Sequence, residues 1–267
     1  MKNLICFISH VVTDEIVSLF KEISSGIPED SEIVFISPTE LDRRSEFSKI
    51  FELTGGVTNL YLDKTEENLI DQNTYTFRSQ LIFRNIYKLF PGYEYYYLIE
   101  YDVRFTGDWK SLFHRLSRLP EDLICSHFST YNNIYEQGPY PRWKLRKMFS
   151  KEDRLIIEES GKITDDLCFS FLPFCRLSNS LMRLVYDYYE TYDGFFEIVI
   201  PTICIKNDLS VIDLDHLGIT CPPPEINNPN DFHLRCNSGS MSWYKEDKTV
   251  YDKPNILIHP IKPNLLR

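Results

Sequence analysis

Tyr95-Tyr96-Tyr97-Leu98-Ile99-Glu100-Tyr101-Asp102-Val103-Arg104-Phe105 is the stretch that decides the fold. Its first five residues are an unbroken aromatic and aliphatic run, the pattern of a strand buried on both faces. The run ends in two carboxylates, Glu100 and Asp102, with Tyr101 between them and expected to pack inward. In an open α/β sheet, ligands bind outside the carboxyl ends of the strands. A buried strand that ends in acids is a place to hold a metal ion, or a polar ligand that carries one. The same two acids also fit a solvated strand-to-loop transition.

The elements around this strand alternate as an α/β sheet requires. Leu4 to Ser9 is a buried strand, and Thr13 or Asp14 caps a helix with Ile16, Val17, Phe20 and Ile23 at helical spacing. Gly26 and Pro28 stop that helix, and Glu32 to Ser37 forms a second strand. Strand–helix–strand predicts a parallel pair with a right-handed crossover. Val57 to Leu62 predicts a third strand, and Phe77 to Leu89 a helix that leads into the acidic strand. Beyond the acids, Gly107-Asp108-Trp109 turns the chain into a helix with Trp109, Leu112, Phe113 and Leu116 on one face. Leu123 to Phe128 is the next strand.

From about 129 to 160 the pattern fails, and Gly138, Pro139 and Pro141 point to a long loop. Residues 166–175 read as strand. Ser178 caps a helix through Tyr189. Leu209 to Leu214 and Asn255 to Ile258 are late strands on either side of a polar, irregular stretch. The expectation is one mixed-sheet α/β domain over 1–267. Its halves, 1–130 and the more variable 131–267, divide at the long loop.

The formal net charge of −10 and pI near 5.1 exclude general nucleic-acid binding, which needs a basic footprint. A local basic stretch holds Arg142, Lys144, Arg146, Lys147, Lys151 and Arg154. It suits a phosphate, an anionic acceptor or a peripheral contact with a membrane surface, and equally a solvated face. Seven scattered cysteines, with no Cys-x-x-Cys, fit a reduced cytoplasmic setting. The first apolar run is too short for a signal peptide, and none reaches membrane-spanning length.

Two further stretches place an ionisable group beside an apolar run: Gly194-Phe195-Phe196-Glu197-Ile198-Val199-Ile200-Pro201-Thr202 and His259-Pro260-Ile261-Lys262. Both can form a pocket wall. With Glu100-Tyr101-Asp102 they make up a set that resembles the GT-A-type glycosyltransferases. That fold is a Rossmann-like nucleotide-binding α/β sandwich in which a short acidic motif holds a divalent metal against a nucleotide-sugar diphosphate. Glu100-Tyr101-Asp102 is similar to an ExD form of that motif, within the wider string Leu98 to Trp109. Glu197 before Pro201-Thr202 matches an acid that follows the motif by about a hundred residues in small GT-A-like families. His259 matches a C-terminal histidine that often completes the metal site.

The resemblance implies that residues 1–130 bind the nucleotide-sugar and 131–267 form the acceptor side and closing segment, and it implies a role for each site residue. Asp102 and His259 would ligate Mn²⁺ or Mg²⁺, and imidazole favours Mn²⁺. Glu100 would contact the metal through water or hold the ribose, and Lys262 would stabilise phosphate charge. Ser9 and His10, at the mouth of the first strand, would hold the base, with Arg78 and Asn85 reaching the nucleotide or sugar. Glu197 would be the base for an acceptor hydroxyl, and Asp165-Asp166 is the other candidate for that part. The donor expected is a UDP-sugar. The acceptor would be a glycan or lipid-linked sugar in bacterial surface polysaccharide synthesis. Two rivals share the fold: a nucleotidylyltransferase, though the glycine-rich basic loop it usually carries is absent, and a non-catalytic glycan- or partner-binding domain. No G-x-S-x-G elbow and no glycine fingerprint after the first strand exist, which argues against a serine hydrolase and a Rossmann dehydrogenase.

Overall fold

The computed structural model describes residues 2–9, 12–37, 58–59, 78–130, 167–190, 196–219 and 254–259. In chain order the described strands are β1 (Asn3–Ile8), β2 (Ser31–Ser37), β3 (Thr58–Asn59), β4 (Tyr95–Glu100), β5 (Arg104–Phe105), β6 (Leu123–Thr130), β7 (Cys168–Ser178), β8 (Val211–Asp213) and β9 (Leu257–Ile258). The described helices are α1 (Asp14–Gly26), α2 (Arg78–Leu89), α3 (Trp109–Leu116), α4 (Asn179–Tyr189) and α5 (Phe196–Lys206), and Leu214–Leu217 forms a 3₁₀ turn.

Seven strands form one sheet in the order β3-β2-β1-β4-β7-β6-β8. β2, β3 and β4 extend it in parallel on either side of β1, as the opening strand–helix–strand pattern predicts. β7 alone runs antiparallel, to β4 on one side and β6 on the other, and β8 is parallel to β6. The sheet is therefore mixed. The chain leaves β1 for β2 and β3 on one side, then returns to β4 on the other. The carboxyl ends of β1 and β4 flank that switch, where open α/β sheets bind ligands.

The apolar runs are continuous because both faces of the sheet are covered. Leu4, Cys6, Tyr96, Leu98, Cys175 and Leu177 share one face with residues of α2, α4 and α5. Ile5, Phe7, Tyr97, Ile99 and Phe174 share the other with α1 and α3. Alternation along β1 sends its side chains to opposite cores. Each large apolar side chain so buried contributes about 1.5–3 kcal/mol. α5 is buried almost all round, which suits a helix whose sequence is apolar on every side.

Thr13 and Ser178 cap their helices as the sequence predicts, and Asp108 caps a third. Thr13 accepts from the Ile16 N–H at 3.3 Å, Asp108 from Ser111 at 2.8 Å, and Ser178 from Leu181 at 3.2 Å. Boundaries differ by a few residues at several elements, the last strand shortens from Asn255–Ile258 to Leu257–Ile258, and Phe196–Lys206 is a helix that the sequence reading did not assign. β6 runs on to Thr130, through an irregular register that hides it from simple alternation. β7 extends to Ser178, so one residue both ends a strand and caps a helix. The late strand shortens to Val211–Asp213 because Asp213 caps the 3₁₀ turn. Only Thr58–Asn59 of the third strand is described. Most of the long loop, Asp165-Asp166 and the basic stretch from Arg142 to Arg154 lie outside the described residues, as do Cys221 and Cys236. The other five cysteines are buried free thiols. Among the described residues, no helix is long and apolar enough to cross a membrane.

One polar knot holds the far edge of the sheet. The Asp122 carboxylate accepts from Ser178 Oγ at 2.7 Å, and from the Ser210 N–H and Oγ, both at 3.0 Å. Burial would raise its pKa, but these hydrogen bonds outweigh burial and hold it below the usual carboxylate value. A depressed folded-state pKa stabilises above the unfolded value of about 3.9, and the gain is lost as pH falls through that range toward the lower native value. Asp122→Ala is expected to cost about 1 kcal/mol at pH 7, because the Ser210 side is open to water, and much less near pH 3. Urea denaturation at the two pH values checks this; an equal loss at both would contradict it.

Candidate metal and nucleotide site

The site forms where β4 ends. Tyr101 continues the β4 ladder by donating its N–H to Ile8 O at 2.9 Å, and Val103 N–H closes a turn onto Glu100 O at 3.0 Å. That turn brings the Glu100 and Asp102 carboxylates together. Tyr101, between them, is buried in the core as expected. Arg104 clamps the turn: Nη1 donates to Tyr101 O at 2.9 Å and Val103 O at 3.0 Å, and Nη2 to Glu15 at 3.1 Å. Sequence reading assigned no role to Arg104; the signal was a lone arginine within the acidic string.

Immediately beyond the turn, β5 pairs antiparallel with β9, Arg104 opposite Ile258 and Phe105 opposite Leu257. This register delivers His259 to the acids. Its Nε2 lies 3.2 Å from Glu100 Oε2 and 3.2 Å from Asp102 Oδ1. Asp102 is 1 % exposed and His259 6 %, while the Glu100 side chain is 38 % exposed. Ligand atoms of the three residues all lie within 4.8 Å of one another. Two carboxylates and an imidazole suit a cation that accepts both oxygen and nitrogen, as Mn²⁺ does.

Electrostatics bind the three residues together. Burial would lower the His259 pKa, but Asp102 and Glu100 reverse that and raise it to about 9. An imidazolium therefore offsets the acids at neutral pH. Glu197, in the first turn of α5, is 5 % exposed. Burial, and then the Glu100 charge, push its pKa up to about 8, against the Leu172 N–H and the His259 charge. Its contact with Leu172 N is long, at 3.5 Å.

The β5–β9 pair depends on one small residue. A Cβ on Gly107 would come within 2.7 Å of both Asn255 Oδ1 and the Phe105 ring. The turn before β9 thus packs on Gly107, and Thr106 N–H donates to Ile256 O at 2.9 Å beside it. Gly107→Ala is expected to push this turn outward, cost about 1–3 kcal/mol and weaken Mn²⁺ binding by moving His259. Calorimetric Mn²⁺ titration with a melting curve checks it; wild-type values in both would refute it.

No family model matches the chain, and no curated protein matches it. Solved structures do. The WbbM bifunctional glycosyltransferase, in its apo form, superposes over 98 % of this chain and 46 % of its own, with a TM-score of 0.50 and 14 % identity. The chain has a GT-A-like fold. It spans less than half of WbbM's length, and identity this low shows fold alone. Core-mannan synthase A (CmsA/Ktr4) from Aspergillus fumigatus, in a Mn/GDP form, matches more loosely: TM-score 0.42, 12 % identity, 79 % of this chain and 71 % of that one. The mannosyltransferase PcManGT from Pyrobaculum calidifontis, in complex with GDP-Man and Mn²⁺, gives 0.43, 8 %, 79 % and 54 %. Likenesses this loose carry no weight for the chemistry.

Within the GT-A-like fold, the other expected site residues spread out. Ser9 is buried just past β1, its N–H on Ile36 O at 2.9 Å, at the edge where Glu100 ends β4. Arg78 opens α2, at the helix end away from the start of β4, and only its backbone is described. Asn85 is four residues short of the α2 end that feeds β4. His10 and Lys262 lie outside the described residues.

Proposed function

We propose that the chain is a metal-assisted glycosyltransferase that takes its sugar from a nucleotide-sugar. The observation that carries this reading is the β5–β9 register, which sets His259 on Glu100 and Asp102 at the switch between β1 and β4. Asp102 and His259 would hold the cation, with Glu100 beside it as the half-exposed partner. Such a cation neutralises the charge that develops on a departing diphosphate. In the transfer, an acceptor hydroxyl oxygen bonds to the anomeric carbon. The bond from that carbon to the phosphate oxygen breaks, and the nucleotide leaves with the electron pair. Glu197 is our candidate to take the acceptor proton, since a base works best with a pKa near the operating pH. Ser9 borders the place for the nucleotide.

The test is donor hydrolysis. The protein is incubated with UDP-, GDP- and CMP-sugars and Mn²⁺, and released nucleotide is measured. Release from one donor class, dependent on Mn²⁺, is the expected result and also fixes the base. No release from any donor, together with no thermal shift from UDP, GDP or CMP, would sink the proposal.

A further inference from the structure

A second imidazole and carboxylate lie close together near the cluster, His127 on β6 and Asp215 in the 3₁₀ turn after β8. Between Ser126, paired with Phe171, and Ser129, paired with Phe169, two β6 residues oppose one on β7. This is a β-bulge, a device that re-aims a side chain and is frequent beside active sites. His127 occupies the bulge with φ +54°, the left-handed region that glycine takes without strain. Two aspartates flank it. Asp213 Oδ2 accepts the N–H of Phe128 at 2.6 Å, which fixes the bulge backbone. Asp215 Oδ2 lies 3.5 Å from His127 Nδ1, and the His127 side chain is about a third exposed, at 32 %.

One aromatic ring, Phe171, lies between His127 and the metal candidates. The His127 ring lies 6.1 Å from the Phe171 ring, and Phe171 lies 5.3 Å from the His259 ring, edge to face. Three rings thus run outward from the acids, ending in an accessible imidazole with a carboxylate on Nδ1. The nearby Asp215 carboxylate lies on the Nδ1 edge of the ring, and Nε2 is on its other edge. An aromatic wall with one oriented polar group at its rim is the make-up of a small-molecule site. If the acids hold the diphosphate side of a donor, the partner chemistry one ring further out is a sugar hydroxyl.

We infer that His127, oriented by Asp215, contacts a hydroxyl of the sugar that reacts at this site, whether on the donor or the acceptor. The inference rests on the glycosyltransferase reading. His127→Gly tests it, because glycine adopts φ +54° freely, so the variant should melt at or above the wild-type temperature. Calorimetry with Mn²⁺ compares UDP with UDP-glucose and GDP with GDP-mannose. Saturation-transfer NMR then follows methyl glycosides offered to protein loaded with nucleoside diphosphate and Mn²⁺. Nucleoside diphosphate affinity should not change. Either the nucleotide-sugar binds about 3–10-fold more weakly, which marks the donor sugar, or the glycoside signal falls by a similar factor, which marks the acceptor. Wild-type behaviour in both arms overturns the inference, as does a lowered melting temperature or weaker binding of the nucleoside diphosphate itself. If the wild type binds no nucleotide with Mn²⁺, the glycosyltransferase reading fails and takes this inference with it. If the wild type binds and His127→Gly matches it, only this inference falls.

Discussion

Asp102→Ala is expected to abolish Mn²⁺-dependent nucleotide binding. Asp102 is the most buried of the three candidate ligands, and it is held by a turn that the Arg104 guanidinium clamps from behind. Its removal leaves one half-exposed carboxylate and one imidazole, too few ligands for a hard cation that binds through several oxygens. The loss should exceed the roughly 10–100-fold that removing a mere hydrogen-bond partner of a ligand costs. Asp102→Asn separates chemistry from folding, because it keeps the volume and discards the charge. Both variants should melt cooperatively and lose the Mn²⁺-dependent thermal shift with UDP, GDP or CMP. A shift that survives unchanged in both would show that these acids are not the metal site.

Arg176→Met is expected to destabilise the fold by about 3–5 kcal/mol, lowering Tm by roughly 10 °C in a chain of this size. Arg176 lies inside β7 and is fully buried. Its guanidinium donates to the carbonyls of Leu116, Leu119 and Glu121 and stacks 4.0 Å over the Tyr95 ring. Two of these carbonyls belong to the end of α3 and the turn after it, where the helix dipole also favours a cation. Methionine fills the volume but leaves the carbonyls without a donor, and each buried orphan costs about 1–3 kcal/mol. Arg176→Lys should fall between, since an ammonium cannot reach the same spread of acceptors while stacking on a ring. A Met variant with wild-type Tm would mean that other groups satisfy those carbonyls.

Neither side chain's importance was equally visible in the sequence. Asp102 was legible because it ends an apolar run, and a carboxylate there has a chemical reason to exist. Arg176 stands in an apolar strand with no period or partner to mark it, and its role comes from carbonyls more than fifty residues away. Arg104 was within the acidic string, but only its hydrogen bonds show that it fixes the turn. His127 was hidden by the bulge, which breaks the period-two pattern on which a strand is recognised.

The sequence by itself determined most of the elements and their order, though not α5 or β5, because local rules act within a few residues. An apolar run ending in Glu100 and Asp102 is a buried strand with acids at its carboxyl end. Thr13, Asp108 and Ser178 cap the helices that follow them. The tertiary structure alone decided how the distant pieces meet. β9 is two residues long, too short for any period, and its pairing with β5 joins His259 to Glu100 across 159 positions. The raised pKa of Glu197 follows from burial and from the Glu100 charge, which exist only once α5 has packed on the sheet. Local chemistry wrote the acids into the sequence; long-range pairing brought His259 to them in one cluster.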